Sequence, residues 1–347
     1  MSAFFPVDGS PYIIAEIGCN HNGDLNLARD LVQAAAASGA DAAKFQSFDP
    51  DDMITVDSPK ADYQIRATGT GESQYQRLQR LRLSVSQHEE LQTWCQTCGI
   101  TFCSSPFDRG SAELLQRLNV PFFKVPSGEI TNLPLLRQIG DYRKPVILST
   151  GMSDLWEIEA ALEALSGTPE IVLLHCVSDY PARWEDANMR AILTLRQAFH
   201  LPVGFSDHTE GIELPLVAVA LGAVVIEKHL TLDRNLEGGD HRASLEPAEF
   251  TAMVHKIRRL TVALGDGRKR CTPAERNVRA VARKSLVTRR PVRAGTRLTE
   301  DDIAIKRPGT GISPGLLPQV IGAVVREDLP GGVLLSWSHL YFPDASP

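Results

Sequence analysis

The sequence predicts an α/β chain: a (β/α)8 barrel of the TIM type over residues 1–265, a linker over 266–284 and a small β-rich domain over 285–347. Three observations carry that expectation. Eight short runs of apolar and β-branched residues alternate with segments of helical periodicity as far as Gly265. Each run turns polar at its C-terminal tip, the end at which such barrels gather their functional side chains. Beyond Gly265-Asp266-Gly267 the alternation gives way to short strands broken by glycine and proline.

In chain order the expected strands are Tyr12–Ile17, Ala42–Gln46, Thr101–Ser104, Phe122–Val125, Val146–Ser149, Ile171–His175, Val203–Ser206 and Val224–His229. Helical periodicity falls on Leu25–Ser38, Gln87–Cys98, Arg109–Leu118, Leu155–Leu165, Met189–Phe199, Glu213–Leu221 and Pro247–Leu264. A doubly wound sheet is the alternative architecture, but no GxGxxG follows the first strand. Pro50 to Ser84 is too long for a plain barrel loop and reads as a lid or binding segment. Its Thr68-Gly69-Thr70-Gly71-Glu72 lacks the Gly-Lys-Ser/Thr of a phosphate-binding P-loop. In the C-terminal part, Ser285–Thr288, Val292–Thr296 and Ile303–Gly309 mark the short strands and turns.

The 347 residues are 43% hydrophobic and 22% charged, with a net charge of −6, which is ordinary for a globular chain. No apolar stretch approaches the roughly 18 residues of a membrane span. Met1–Pro6 lacks the basic and apolar regions of a signal peptide, so a cytoplasmic location without membrane partners is expected. Six cysteines suit a reducing compartment. Cys95 and Cys98 form a CxxC that closes a helical segment rather than opening one, and no second ligand pair of zinc-site spacing accompanies it. Thirteen Lys/Arg against four Asp/Glu lie between Arg268 and Arg307, yet no aromatic interleaving points to nucleic acid.

Read in order, the tips are Glu16; Lys44 and Gln46; Ser104 and Ser105; Lys124, Ser127 and Glu129; Ser149; His175; Ser206 and His208; Glu227, Lys228 and His229. One polar tip is a turn or a snorkelling lysine. Eight in succession point to a catalytic mouth. Lys44 and Lys124 with Ser127, Ser149 and Ser206 suit a phosphate-bearing anion. Glu16 and Glu129 can move protons. His208 and His229 can share a divalent metal that polarises a carbonyl. Together they point to aldol-like condensation or phosphate-ester chemistry.

These residues resemble the phosphoenolpyruvate-dependent sialic acid synthases. The matching motifs are Ile14–Gly23, Gly39–Gln46, Lys124-Val125-Pro126-Ser127-Gly128-Glu129-Ile130-Thr131-Asn132, Ile147–Met152, Gly204–Thr209 and Glu227–Asp233. The C-terminal part resembles the family's antifreeze-like (SAF) domain down to Lys306-Arg307-Pro308-Gly309. The resemblance implies that phosphoenolpyruvate and an open-chain N-acetylated mannosamine-type sugar condense to a nine-carbon 2-keto acid and phosphate. It places Lys44, Ser105, Lys124, Ser127, Ser149, Ser178 and Ser206 on phosphoenolpyruvate. Gln46, Tyr180 and Asp240 fall on the sugar, and His208 and His229 on the metal. Manganese is the expected ion, with magnesium or cobalt as alternatives. Glu16 and Glu129 would handle protons, and Arg307 would reach the sugar in a partner's barrel within a domain-swapped homodimer.

The chain departs from the family pattern in a few places. Ser105 stands where threonine is usual, Tyr180–Trp184 replaces Tyr-Pro-Thr-Pro-Tyr, and Gly238-Gly239-Asp240-His241 replaces Gly-Pro-Asp-His. The last two border the expected sugar site. The first expectation is N-acetylneuraminate synthesis from N-acetylmannosamine. The alternative is N,N'-diacetyllegionaminate synthesis from 2,4-diacetamido-2,4,6-trideoxymannose. Competing classes are a metal-dependent aldolase or phosphatase, which needs no phosphoenolpyruvate, and a non-catalytic binding protein, which needs no such set of tips.

Overall fold

The computed structural model describes residues 9–343. The chain divides after Gly265 into two compact units. Eight strands build the first: β1 Tyr12–Glu16, β2 Ala42–Ser47, β3 Thr101–Pro106, β4 Phe123–Val125, β5 Val146–Ser149, β6 Ile171–Cys176, β7 Val203–Asp207 and β8 Val225–His229. All pair in parallel in the order β3-β2-β1-β8-β7-β6-β5-β4, and the end strands β3 and β4 lie side by side. The sheet is thus rolled into a TIM-type barrel. Both faces of these strands are covered, which is why they read as almost unbroken apolar runs up to their tips.

Register sets what meets at the mouth. Glu16 of β1 is level with Lys44 of β2 on one side and His229 of β8 on the other. Gln46 pairs with Ser105 of β3, and Ser206 of β7 with Glu227 of β8. Below the mouth the interior is apolar, filled by Tyr12, Ile14, Ala42, Cys103, Phe122, Ile147, Val172, Leu174 and Val225.

The helices pack outside the sheet. α1 (Leu25–Ala37) starts at Asp24, whose carboxylate accepts from the Asn26 and Leu27 amides, and it buries Ala28, Leu31, Val32 and Ala35. Full burial of one such leucine stabilises by about 1.5–3 kcal/mol. Residues 50–81, which the sequence reads as a long lid or binding segment, fold as three short helices, α2 Pro50–Met53, α3 Asp62–Thr68 and α4 Gln74–Leu81. Leu78 and Leu81 of α4 join Cys19 and Phe48 in a small apolar cluster that seats this insert. The outer ring continues with α5 Val85–Thr97, α6 Arg109–Arg117, α7 Leu133–Asp141, α8 Leu155–Ala164, α9 Ala191–Phe199, α10 Glu213–Ala220 and α11 Pro247–Leu264. Cys95 and Cys98 are free thiols at the end of α5. Among the described residues no helix is long and apolar enough to cross a membrane.

The second unit has its own core of Leu286, Val292, Leu298, Ile303, Ile312, Val320, Ala323, Val325, Leu329, Leu335 and Leu340. Within this unit a short helix, α12 (Arg276–Ala282), comes before the strands. β9 (Ser285–Thr288) pairs antiparallel with β10 (Ile303–Lys306), and β11 (Val324–Val325) with β12 (Leu340–Tyr341). Arg307 follows β10 and is exposed.

Candidate active site

A cavity of about 310 Å³ opens at the C-terminal ends of the strands. Glu16, Lys44, Gln46, Ser105, Lys124, Ser127, Ser149, Ser178, Tyr180, Ser206, His208, His229 and Asp240 all line it. Two expected residues do not. Glu129, in a turn after β4, lies outside the lining, and its Oε2 accepts from Asn132 Nδ2 at 2.7 Å. Arg307 belongs to the second unit.

Strand alternation explains which tip residues enter. Successive side chains face opposite sides of a strand. Glu227 and His229 therefore face the cavity while Lys228 turns outward, where its Nζ donates to Asp207 Oδ2 at 2.6 Å and to the Thr209 carbonyl. Both members of that pair are fully buried. Lys228 is thus a brace between β8 and β7. His175 and Ser104 are likewise turned away. His175 Nε2 donates to the Ala187 carbonyl at 2.8 Å, and Ser104 shares a hydrogen-bonded pair with Ser47, whose hydroxyl also meets His88.

Charge is concentrated on one wall. Glu227 Oε1 accepts from Ser206 Oγ at 2.9 Å and lies 3.5 Å from Lys124 Nζ and 3.8 Å from Lys44 Nζ. Its Oε2 is buried with no hydrogen-bond partner in the chain. Lys44 also pairs with Glu16 and donates to Ser105 Oγ at 3.3 Å. Burial pushes the Glu16 carboxyl up to about 7, helped by the like charge of Glu227 and opposed by Lys44 and the Gln46 amide, which donates at 3.0 Å. Burial costs Glu227 as well, but Lys124, Lys44 and the Ser206 hydroxyl hold its pKa below the ordinary carboxylate value. Burial lowers the pKa of Lys124, with Glu227 working against that.

Beside the lysines is a small polar recess. Ser127 Oγ accepts from the Gly151 amide at 2.9 Å and sits 3.1 Å from Cys176 Sγ. A Cβ on Gly151 would come within 2.4 Å of Ser178 Oγ and 2.9 Å of Ser127 Oγ. Glycine here keeps the recess open. Ser149 Oγ is buried without a hydrogen-bond partner in the chain. Buried polar groups of that kind call for a ligand or water.

An aromatic cluster adjoins the charged groups at the tips of β7 and β8. Tyr63 of α3 meets Tyr180 in a tilted pair at 4.8 Å between centroids, Tyr180 meets His208 likewise at 4.2 Å, and the rings of His208 and His229 are 5.4 Å apart. His208 Nδ1 must donate to the Val177 carbonyl, 2.6 Å away, which leaves Nε2 unprotonated, 3.5 Å from Ser206 Oγ. Burial lowers the His208 pKa to about 4, and the His229 pKa well below its usual value. Both imidazoles are neutral, the form that binds metal. His229 Nδ1 is buried without a hydrogen-bond partner, 3.9 Å from Asp240 Oδ2. Two neutral imidazoles, one of them with an unpartnered ring nitrogen, fit a divalent ion that would complete its shell with water and substrate. Among the described residues no set of three or more His, Cys, Asp or Glu forms a metal cage.

Cys19, Tyr63, Arg77 and Cys176 also line the cavity, although strand-tip reasoning passes over them. Cys176 is the period-two neighbour of Leu174 on β6 and was legible by parity. Tyr63 and Arg77 reach the site from the insert, which no strand pattern announces.

The NeuB family profile matches residues 31–269, and the SAF domain profile matches residues 283–340. The chain is 47% identical over 320 residues to the N,N'-diacetyllegionaminic acid synthase of Campylobacter jejuni, covering 91% of this chain and 96% of that protein. It is 43% identical to the synthase of the same name from Legionella pneumophila, covering 95% and 94%. Among solved structures, the N-acetylneuraminic acid (sialic acid) synthetase of Leptospira borgpetersenii, in complex with citrate, superposes with a TM-score of 0.69 at 36% identity. That match covers 78% of this chain and 90% of that one.

Proposed function

This chain belongs to the NeuB family, and we propose that it joins phosphoenolpyruvate to an open-chain N-acetylated amino-sugar. Water is consumed, and the products are a nine-carbon 2-keto sugar acid and inorganic phosphate. The observation that carries the reading is one cavity that brings two buried lysines and a serine-lined recess together with two neutral imidazoles. Cations and hydroxyls suit a phosphate-carboxylate compound. The imidazole side suits an aldehyde.

Lys44 and Lys124 bind the anionic substrate, with Ser105, Ser127, Ser149, Ser178 and Ser206 supplying hydroxyls. Gln46, Tyr180 and Asp240 orient the sugar. A divalent ion held by His208 and His229, with manganese ahead of magnesium or cobalt, would supply Lewis-acid polarisation of the sugar carbonyl. Glu16, with a pKa near neutrality, accepts a proton from the water that attacks C2 of the former phosphoenolpyruvate as phosphate departs. Glu129 is proposed as the second proton-handling group, reaching the cavity only after its bond to Asn132 is released.

For the sugar, the 47% and 43% identities to two N,N'-diacetyllegionaminic acid synthases favour 2,4-diacetamido-2,4,6-trideoxymannose, with N-acetylmannosamine second. Met53, Leu78 and Phe107 in the cavity wall suit a deoxy methyl group better than a hydroxymethyl. We further propose a domain-swapped homodimer in which Arg307 serves a partner's sugar site. The reaction is placed in the cytoplasm, where the six unpaired thiols stay reduced.

The deciding experiment is phosphate release from phosphoenolpyruvate with each sugar, with and without chelator. Release that requires an amino-sugar is expected, and none with any amino-sugar would sink the reading. Mixing Arg307→Ala chains with His208→Ala chains should restore part of the activity; no recovery would count against the swapped dimer.

A further inference from the structure

We propose that Arg77, on the insert helix α4, is a specificity-determining residue that donates to an acceptor oxygen on the carbon chain of the amino-sugar, beside Asp240. This rests on the functional reading above and adds a sugar contact that no strand tip supplies.

Arg77 lies in the buried stripe of α4 with Leu78 and Leu81 and is only 3% exposed. A buried arginine is normally paired, because an unpaired charge out of water is costly. Yet Arg77 takes part in no ion pair among the described residues. The groups that favour its charge against burial are first the Cys19 thiol and then the Asp240 carboxylate. Burial pushes the Cys19 thiol up to about 12, so it is neutral at working pH and a weak acceptor. Asp240 is the remaining anion, and it also stands 3.9 Å from His229 on the metal side. The Cys19 sulfur takes one of the guanidinium's five donors, and the guanidinium lines the cavity with others still to place.

Space for it is built into the facing loop. A Cβ on Gly239 would stand 3.1 Å from Arg77 Nη2. The backbone of Gly239 is not in the left-handed region, so a side chain here would act on Arg77 by close approach and not through backbone strain. Gly239 precedes Asp240 directly, so the guanidinium and the carboxylate approach the cavity together as donor and acceptor. A polyhydroxylated, amide-bearing chain needs that pairing. Phosphoenolpyruvate is already served by Lys44 and Lys124, both engaged with Glu227.

The test is steady-state kinetics, with sugar and phosphoenolpyruvate varied separately, on wild type, Arg77→Lys, Arg77→Met and Gly239→Ala, with thermal melting to confirm folding. Loss of a charge-assisted contact predicts a sugar KM raised about 10–100-fold in Arg77→Met. Arg77→Lys should fall in between, Gly239→Ala should show a smaller rise, and the phosphoenolpyruvate KM should hold within about twofold of wild type. If Arg77→Met does not fold, the lysine and Gly239→Ala variants decide. An unchanged sugar KM in folded Arg77→Lys and Gly239→Ala overturns the assignment, as does a parallel rise in both KM values. A wild type that releases no phosphate with any amino-sugar overturns the functional reading and this assignment with it. An active wild type with unmoved variants overturns only the role of Arg77.

Discussion

Glu227 Oε1 lies 3.5 Å from Lys124 Nζ, and both groups are buried at the barrel mouth. The same oxygen is 3.8 Å from Lys44 Nζ, so one carboxylate stands between the two cations assigned to the substrate. An incoming phosphate-carboxylate anion must draw on the charges that Glu227 now neutralises. Glu227→Gln is therefore expected to lower the KM for phosphoenolpyruvate by several-fold while cutting kcat by about 10²-fold, through loss of ordered charge in the turnover step. Steady-state kinetics with phosphoenolpyruvate as the varied substrate checks this; a raised KM would show that Glu227 aids binding.

The Lys228–Asp207 pair supports the fold without entering the cavity. Lys228→Met leaves Asp207 charged and buried, with only Thr209 still donating to it. Destabilisation of about 3–5 kcal/mol is expected. The double variant with Asp207→Asn should recover much of that loss. Denaturant titration of the single and double variants measures both, and additive losses would remove the pairing argument.

Glu16 sets the expected pH response. With its pKa near 7 and the carboxylate as the working base, kcat/KM should climb as pH rises through about 7. The effect on stability runs the other way. A folded-state pKa above the ordinary carboxylate value favours the fold most below that ordinary value, and the advantage is lost as pH rises to about 7. Glu16→Gln should therefore flatten the pH dependence of melting temperature between about 4.5 and 7 while abolishing most turnover. A pH-rate profile falling through 7 would assign the proton the other way.

Chelation probes the imidazole pair. Metal-depleted protein is expected to lose at least about 10³-fold in kcat and to regain it with manganese. His208→Ala and His229→Ala should lose metal-dependent activity yet still bind phosphoenolpyruvate, as equilibrium dialysis would show. Full activity in excess chelator would eliminate the metal role of both residues.

Gly151→Ala tests the recess. The new methyl would press on Ser178 Oγ and Ser127 Oγ, where something must move. A rise of roughly tenfold in the phosphoenolpyruvate KM with an unchanged sugar KM is expected. Equal effects on both would place the anion elsewhere.

The barrel was readable because eight buried parallel strands leave eight apolar runs, and the polar tips followed from where such barrels keep their chemistry. Sorting the tips needed one further step, the two-residue period. It separates Glu227 and His229 from Lys228, and Cys176 from His175, once strand limits are known. α7 (Leu133–Asp141) escaped the periodic reading because Pro134 near its start and Gly140 near its end look like loop residues. The insert was legible only as length. Its helices are short and polar, so neither Tyr63 nor Arg77 signals burial until the chain is folded. Glu129 matches its motif, yet Asn132 holds it outside the lining, a matter of side-chain direction that spacing does not encode.

β8 places its chemistry and its brace on alternate residues. That makes the strand a reading frame in space. Inserting or deleting one residue between Val225 and Glu227 would turn the brace lysine into the cavity and carry the glutamate and the histidine toward the helices. Turnover and folding would fail in a single event, whereas a two-residue change would preserve the phase. Length variation in this strand is thus confined to even steps, and a scan of single and double insertions would reveal that periodicity directly.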